Sequence, residues 1–259
     1  MGFFGSRNDE PEETQTEKHE SEKAVMQADE PTFIKTPTNN ISTLNSLLEI
    51  KADINGGGSL IIGGNYKGDA VIEDTIIIEK GAQFFGNIKA KNVKISGEFK
   101  GEIEATAVEV CASSKFIGVI SANKCFLAGI INGAINSKDS IEILPTGDIE
   151  TKEIKSSNIK VSGKVKGHII ASSLLEVTKD GSVSGEIVTK GIKTEQGGTI
   201  IGNIQTYDES LHGIDINYTL DDLQTNKPIE ALSKKSVDEL SEEDILKYSK
   251  KDNKQVKRI

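Results

Sequence analysis

Between residues 41 and 206 apolar side chains recur at every second position in short runs, and a glycine interrupts each run. Aligned on that glycine, nine copies line up: YKGDAVI (66–72), FFGNIKA (84–90), FKGEIEA (99–105), FIGVISA (116–122), INGAINS (131–137), PTGDIET (145–151), VKGHIIA (165–171), VSGEIVT (183–189) and IIGNIQT (200–206). Two places before the glycine the residue is nonpolar or aromatic in every copy, and two places after it stands isoleucine in eight copies and Ala70 in the ninth. Steps of two send alternate side chains to opposite faces of a strand, so these positions define an inward face. The pattern predicts a core ladder of Ile88, Ile103, Ile120, Ile135, Ile149, Ile169, Ile187 and Ile204. Ile117 and Val119, on either side of Gly118, are predicted to point outward.

Successive glycines lie 18, 15, 17, 15, 14, 20, 18 and 17 residues apart, and alternate copies carry a second glycine four places upstream, at Gly64, Gly97, Gly129 and Gly163. Helical repeats of the tetratricopeptide or ankyrin kind need about 33–34 residues of helical periodicity, and propeller blades about 40 or more. A strand-patterned unit of about 17 residues fits a parallel β-helix, whose equivalent positions stack at roughly 4.7–4.9 Å. The expectation is an all-β, single-domain rod of about nine coils over residues 41–206, on the order of 40 Å long.

The flanks break this pattern. Residues 1–40 are rich in Glu, Thr, Gln and Pro, and residues 207–259 are again polar. Both are expected to be disordered tails, because neither has the apolar content to bury a core. Within the second, SVDELSEEDILKYSKK places Ser236 and Glu239 at capping-box spacing and suggests a short helix over 236–249. The net charge of -9 divides into -5, -1 and -3 over residues 1–40, 41–206 and 207–259. A near-neutral core between acidic tails argues against a nucleic-acid partner, which calls for a basic patch. The core holds 22 of the 25 glycines but only one of the five prolines, Pro145, as unbroken strand ladders require. Two cysteines, Cys111 and Cys125, are too few for a disulfide scaffold, and no apolar run approaches 18 residues. These features point to a cytoplasmic chain.

The run from Ile41-Ser42-Thr43-Leu44 into coils such as VKISGEFKGEIEA, and on to EILPTGDIET (142–151), resembles the bactofilins. The resemblance covers residues 41–206 and implies a right-handed β-helix between disordered tails. It also implies a bacterial cytoskeletal scaffold that assembles end to end, without nucleotide, into filaments at the inner membrane and positions cell-shape or cell-wall machinery. The partners implied are further copies of the chain, the membrane surface, and cell-wall enzymes or other bactofilins. The physics of the fold agrees on one point: a β-helix ends in rows of unpaired N–H and C=O groups that invite stacking. If like ends meet, each contact is isologous and the filament has no polarity. No GxxxxGK[ST] phosphate loop is present, and nothing points to a nucleotide or other cofactor.

Catalytic chemistry finds little support. His19, His168 and His212 are scattered, with no partnered nucleophile and no metal-ligand spacing. Cys125 aligns with Val93 and Ile159 and reads as a small buried hydrophobe. Phe126 aligns with the outward Lys94 and Lys160, so with Ile117 and Val119 it is a candidate lateral or partner contact. The start MGFFGS formally fits a myristoylation pattern, but Phe3 and Phe4 read better as a membrane contact. Two other functions stay open: a monomeric binding platform and, less favoured, a β-helix enzyme such as an acyltransferase or a polysaccharide-active protein. The coil lengths depart from strict hexapeptide steps, and the RTX motif GGxGxDxUx is absent.

Overall fold

The computed structural model describes residues 1–2 and 33–212, and the architecture below is that of the second stretch. Phe3, Phe4, His19, the suggested helix at 236–249 and most of both tails lie outside the described residues. Short strands build the first coils: β1 (Ile41–Leu44), β2 (Glu49–Lys51) and β3 (Ile54–Gly56), then β4 (Ser59–Ile62), β5 (Asn65–Lys67) and β6 (Ala70–Ile72). β7 (Thr75–Ile78), β8 (Gln83–Phe85) and the start of β9 (Ile88–Ile95) make the third coil. Beyond it the strands run on through the glycine: β10 (Glu98–Val110), β11 (Lys115–Leu127), β12 (Ile130–Ile143), β13 (Asp148–Val161), β14 (Lys164–Val177), β15 (Ser182–Thr194) and β16 (Thr199–Thr206). A one-turn helix, α1 (Glu209–His212), follows. Every strand pair is parallel, and the chain winds into a β-solenoid of about ten turns, roughly 17 residues each.

The tenth coil is the first one, residues 41–56. It is silent in the glycine pattern because Ala52 stands in the place of the glycine beneath Gly68, where a Cβ on Gly68 would run into the Ala52 carbonyl. Elsewhere the glycines stack one on another: Gly86, Gly101, Gly118 and Gly133 are register partners along β9 to β12 or lie directly over one another. Gly118 shows why. Its φ is +146°, and a Cβ there would overlap the carbonyl oxygen of Gly101 one coil below. Only glycine accepts both conditions at once.

The register corrects the sequence alignment in one coil. Gly133 pairs with Thr151, and Thr151 pairs with Gly167, so Gly147 is not in the glycine column. Gly147 lies instead beneath Gly163, in the upstream column. Replacing 147 by 151 removes the aberrant 14- and 20-residue spacings, which become 18 and 16. Thr151 fits because Lys152 is an extra residue: Glu153, not Lys152, pairs with Ala134 and His168. This bulge absorbs the bend that glycine absorbs elsewhere. The Thr151 hydroxyl lies 2.7 Å from the carbonyls of both Gly133 and Glu153.

The same slip moves Ile149. It pairs with Ile131 and Val165, in the column that runs Ile50, Tyr66, Phe84, Phe99, Phe116, while Ile154 takes its place between Ile135 and Ile169. Ile149 is buried, but in a different ladder. The four aromatic rings stack with centroids 4.7, 5.3 and 5.1 Å apart, each contact worth about 0.5–1.5 kcal/mol beyond area burial. Ile88, Ile103, Ile120, Ile135, Ile169 and Ile187 form the isoleucine ladder and are all buried. Each contributes about 1.5–3 kcal/mol of apolar burial.

Candidate functional site: the solenoid ends and outer faces

The ends follow from the pairing. Among the described residues β1, β2 and β3 pair only with β4, β5 and β6, and β16 pairs only with β15. Each terminal coil therefore presents one edge of backbone groups with no strand beside it, a surface that templates a further strand. The apolar interior comes to the surface at the same places. Leu44, Ile50 and Ile54 are only partly buried in the first coil, and Leu47 and Leu48 beside them are exposed. At the other end Ile204, the last member of the isoleucine ladder, is 51% exposed, and Ile201 is exposed next to it. Ile204 keeps its register against Ile187 but is not a buried core residue, because among the described residues no coil lies above it.

On the outer faces the candidates separate. Ile117 is exposed, in register with Lys100 and, beyond it, Phe85, which is also exposed. Ile130, in register with Lys115, adds a further exposed side chain that the alignment did not single out. Val119 does not belong with them: it is only 6% exposed. The bend at Gly118 turns the two adjoining faces toward each other, and Val119 lies in the floor of the resulting groove with Asn87 and Glu102. Polar members of this column close the backbone from coil to coil. The Asp53 carboxylate accepts the Asp69 amide at 2.9 Å, Asp69 accepts that of Asn87 at 2.9 Å, and the Asn87 side chain accepts that of Glu102 at 3.2 Å. Farther along, His168 Nδ1 lies 3.5 Å from the Glu153 carboxylate.

Phe126 points outward as its alignment predicts, but it is not an open contact. Phe33 stacks on it with ring centroids 3.9 Å apart and planes 5° from parallel. The sequence offered no sign of this, because Phe33 and Ile34 fall in a segment whose composition reads as a tail. The predicted lateral set of Ile117, Val119 and Phe126 thus reduces to Ile117, now with Ile130 as its neighbour.

Cys125 faces inward between Val108 and Ile141, and burial pushes its thiol up to about 12 against the lowering effect of a hydrogen bond with Ser137. A thiol held neutral there is a packing group, not a nucleophile. No group of His, Cys, Asp and Glu among the described residues could hold a metal ion. No described helix is long and apolar enough to cross a membrane.

Comparison with known proteins bears on these surfaces. Bactofilin BacO of Myxococcus xanthus (strain DK1622) is 31% identical over 78 residues, which are 30% of this chain and 61% of that protein. The aligned part thus spans less than two thirds of the relative's length. No solved structure matches. The family model for bactofilins, described as polymer-forming cytoskeletal, matches twice in succession, over residues 42–128 and 121–205. Together these matches run the length of the solenoid, and the chain belongs to the bactofilin family of polymer-forming cytoskeletal proteins.

Proposed function

We propose that this chain polymerises end to end, without nucleotide, into non-polar filaments that lie at the inner face of the cytoplasmic membrane and position cell-shape or cell-wall machinery. The observation that carries the reading is the pair of terminal coils, each with an unpartnered strand edge and partly uncovered apolar ladders. Stacking one coil on another continues the backbone ladder and buries those side chains together, a gain that calls for no bound nucleotide. Contact between like ends makes each junction isologous and removes filament polarity. Phe3 and Phe4 supply the membrane contact, at roughly 1.5–3 kcal/mol each when buried, and many copies along a filament add avidity. The exposed pair Ile117 and Ile130 serves lateral or partner contact.

Electron microscopy and sedimentation of the purified chain in nucleotide-free buffer test the core of this. Filaments unchanged by added nucleotide are expected. Short, monodisperse particles at all concentrations would favour a monomeric binding platform instead. Vesicle co-sedimentation that survives Phe3→Ser with Phe4→Ser would remove the membrane contact.

A further inference from the structure

The outward column on β9 to β15 contains three glutamates, each paired with a lysine one coil away: Glu109 with Lys94, Glu142 with Lys160 and Glu176 with Lys193. Their environments differ. The Glu142 and Glu176 side chains are 32% and 23% exposed, whereas that of Glu109 is 5% exposed. An outward carboxylate on a solenoid has no reason to be dry unless something covers it. The cover is the chain's own segment before β1. The backbone amides of Phe33 and Ile34 both donate to Glu109 Oε2, at 2.9 and 2.6 Å, while Lys94 Nζ lies 3.0 Å from Oε1. Phe33 stacks on Phe126 next to it, and Ile34 is buried.

This arrangement reads a peptide in two ways. A carboxylate accepting two successive amides grips main chain, and charge-assisted bonds of that kind are the stronger class. The flat Phe126 ring then selects an aromatic side chain at the first of the two positions. We infer that Phe126, Glu109 and Lys94 form a releasable docking site for an extended aromatic–aliphatic dipeptide, occupied by this chain's own Phe33-Ile34. The reach of the segment is consistent with this seat. Phe126 lies on the sixth coil and β1 on the first, so five coil steps separate them, or about 24 Å. Eight residues from 33 to 41 span at most about 26–29 Å. The eight residues therefore suffice to carry the chain along the flank from the seat to β1, even with bends at 33–34 and 39–40.

Amide hydrogen exchange on the full-length chain tests the seat. The amides of residues 33 and 34 are expected to exchange at least ~10-fold more slowly than free peptide, a margin set by docking that is worth at least one tenfold step. Glu109→Ala should abolish that protection and Phe126→Ser should weaken it, with exchange at the buried Ile120 unchanged in both as the check on folding. Free-peptide exchange in the unmodified chain, or protection that survives both substitutions, overturns the proposal. Release is tested with a labelled synthetic peptide of residues 29–38. It should bind a full-length Phe33→Ser, Ile34→Ser chain, whose seat is vacated, far better than that chain also carrying Glu109→Ala. Equal binding to both, or none to either, shows that no exchangeable seat exists.

Discussion

Ile120 and Ile204 occupy the same column, are the same residue type and follow the repeat glycine by the same two places, yet one is 0% and the other 51% exposed. Nothing in their own coils accounts for this. Ile120 has Ile103 below it and Ile135 above, whereas among the described residues Ile204 has Ile187 on one side alone. In a solenoid a ladder position acquires its role from its neighbours, so one residue type stabilises the fold in mid-rod and forms an adhesive surface at the end.

The contrast can be broken most severely at the backbone. Gly118→Val would force a branched side chain into a φ of +146° and against the Gly101 carbonyl, and a loss of at least about 3 kcal/mol in chemical denaturation is expected. Ile120→Ala should cost about 2–5 kcal/mol by leaving a cavity in the ladder. Next comes an alkaline effect confined to the interior. Because burial holds the Cys125 thiol up near 12, the folded state keeps a proton that the unfolded chain gives up at an ordinary thiol value. That contribution is fully present below the unfolded thiol pKa and is lost as pH rises from about 9 toward 12, at about 1.4 kcal/mol per unit. Denaturation at pH 10.5 should show a loss of about 2 kcal/mol relative to pH 7 that disappears in Cys125→Val. Ile204→Lys sharpens the comparison from the other side. Its stability should change by no more than about 0.5 kcal/mol, as for an exposed site, while sedimentable polymer falls sharply. An Ile204→Lys chain that still assembles fully would show that this end is not a junction.

The fold was legible because a β-solenoid writes its period into the sequence: inward isoleucines must recur where coils stack, and the glycine bend must recur with them. The same strength caused the error at Gly147. PTGDIET imitates the repeat, with a glycine followed two places on by isoleucine, and only backbone pairing reveals that Thr151 and Lys152 replace the glycine. The first coil escaped notice because Ala52 carries no such mark. The outer surfaces were less legible. Alternation gives the direction of Val119 but not the depth of the groove that shelters it, and it places Phe126 outward without a hint that Phe33, 93 residues earlier, would lie on it. Contacts made by a segment outside the repeat leave no period to read.

Thr151 has a consequence for how such a rod can change over generations. Inserting Lys152 without leaving glycine, or leaving glycine without the insertion, puts a coil out of step with both neighbours. The two features are expected to depend on each other. Thr151→Gly should therefore be tolerated best when Lys152 is deleted with it, and each alteration alone should be worse than the pair. This sixth link of the glycine column behaves as a unit of two residues, Thr151 with Lys152, rather than one.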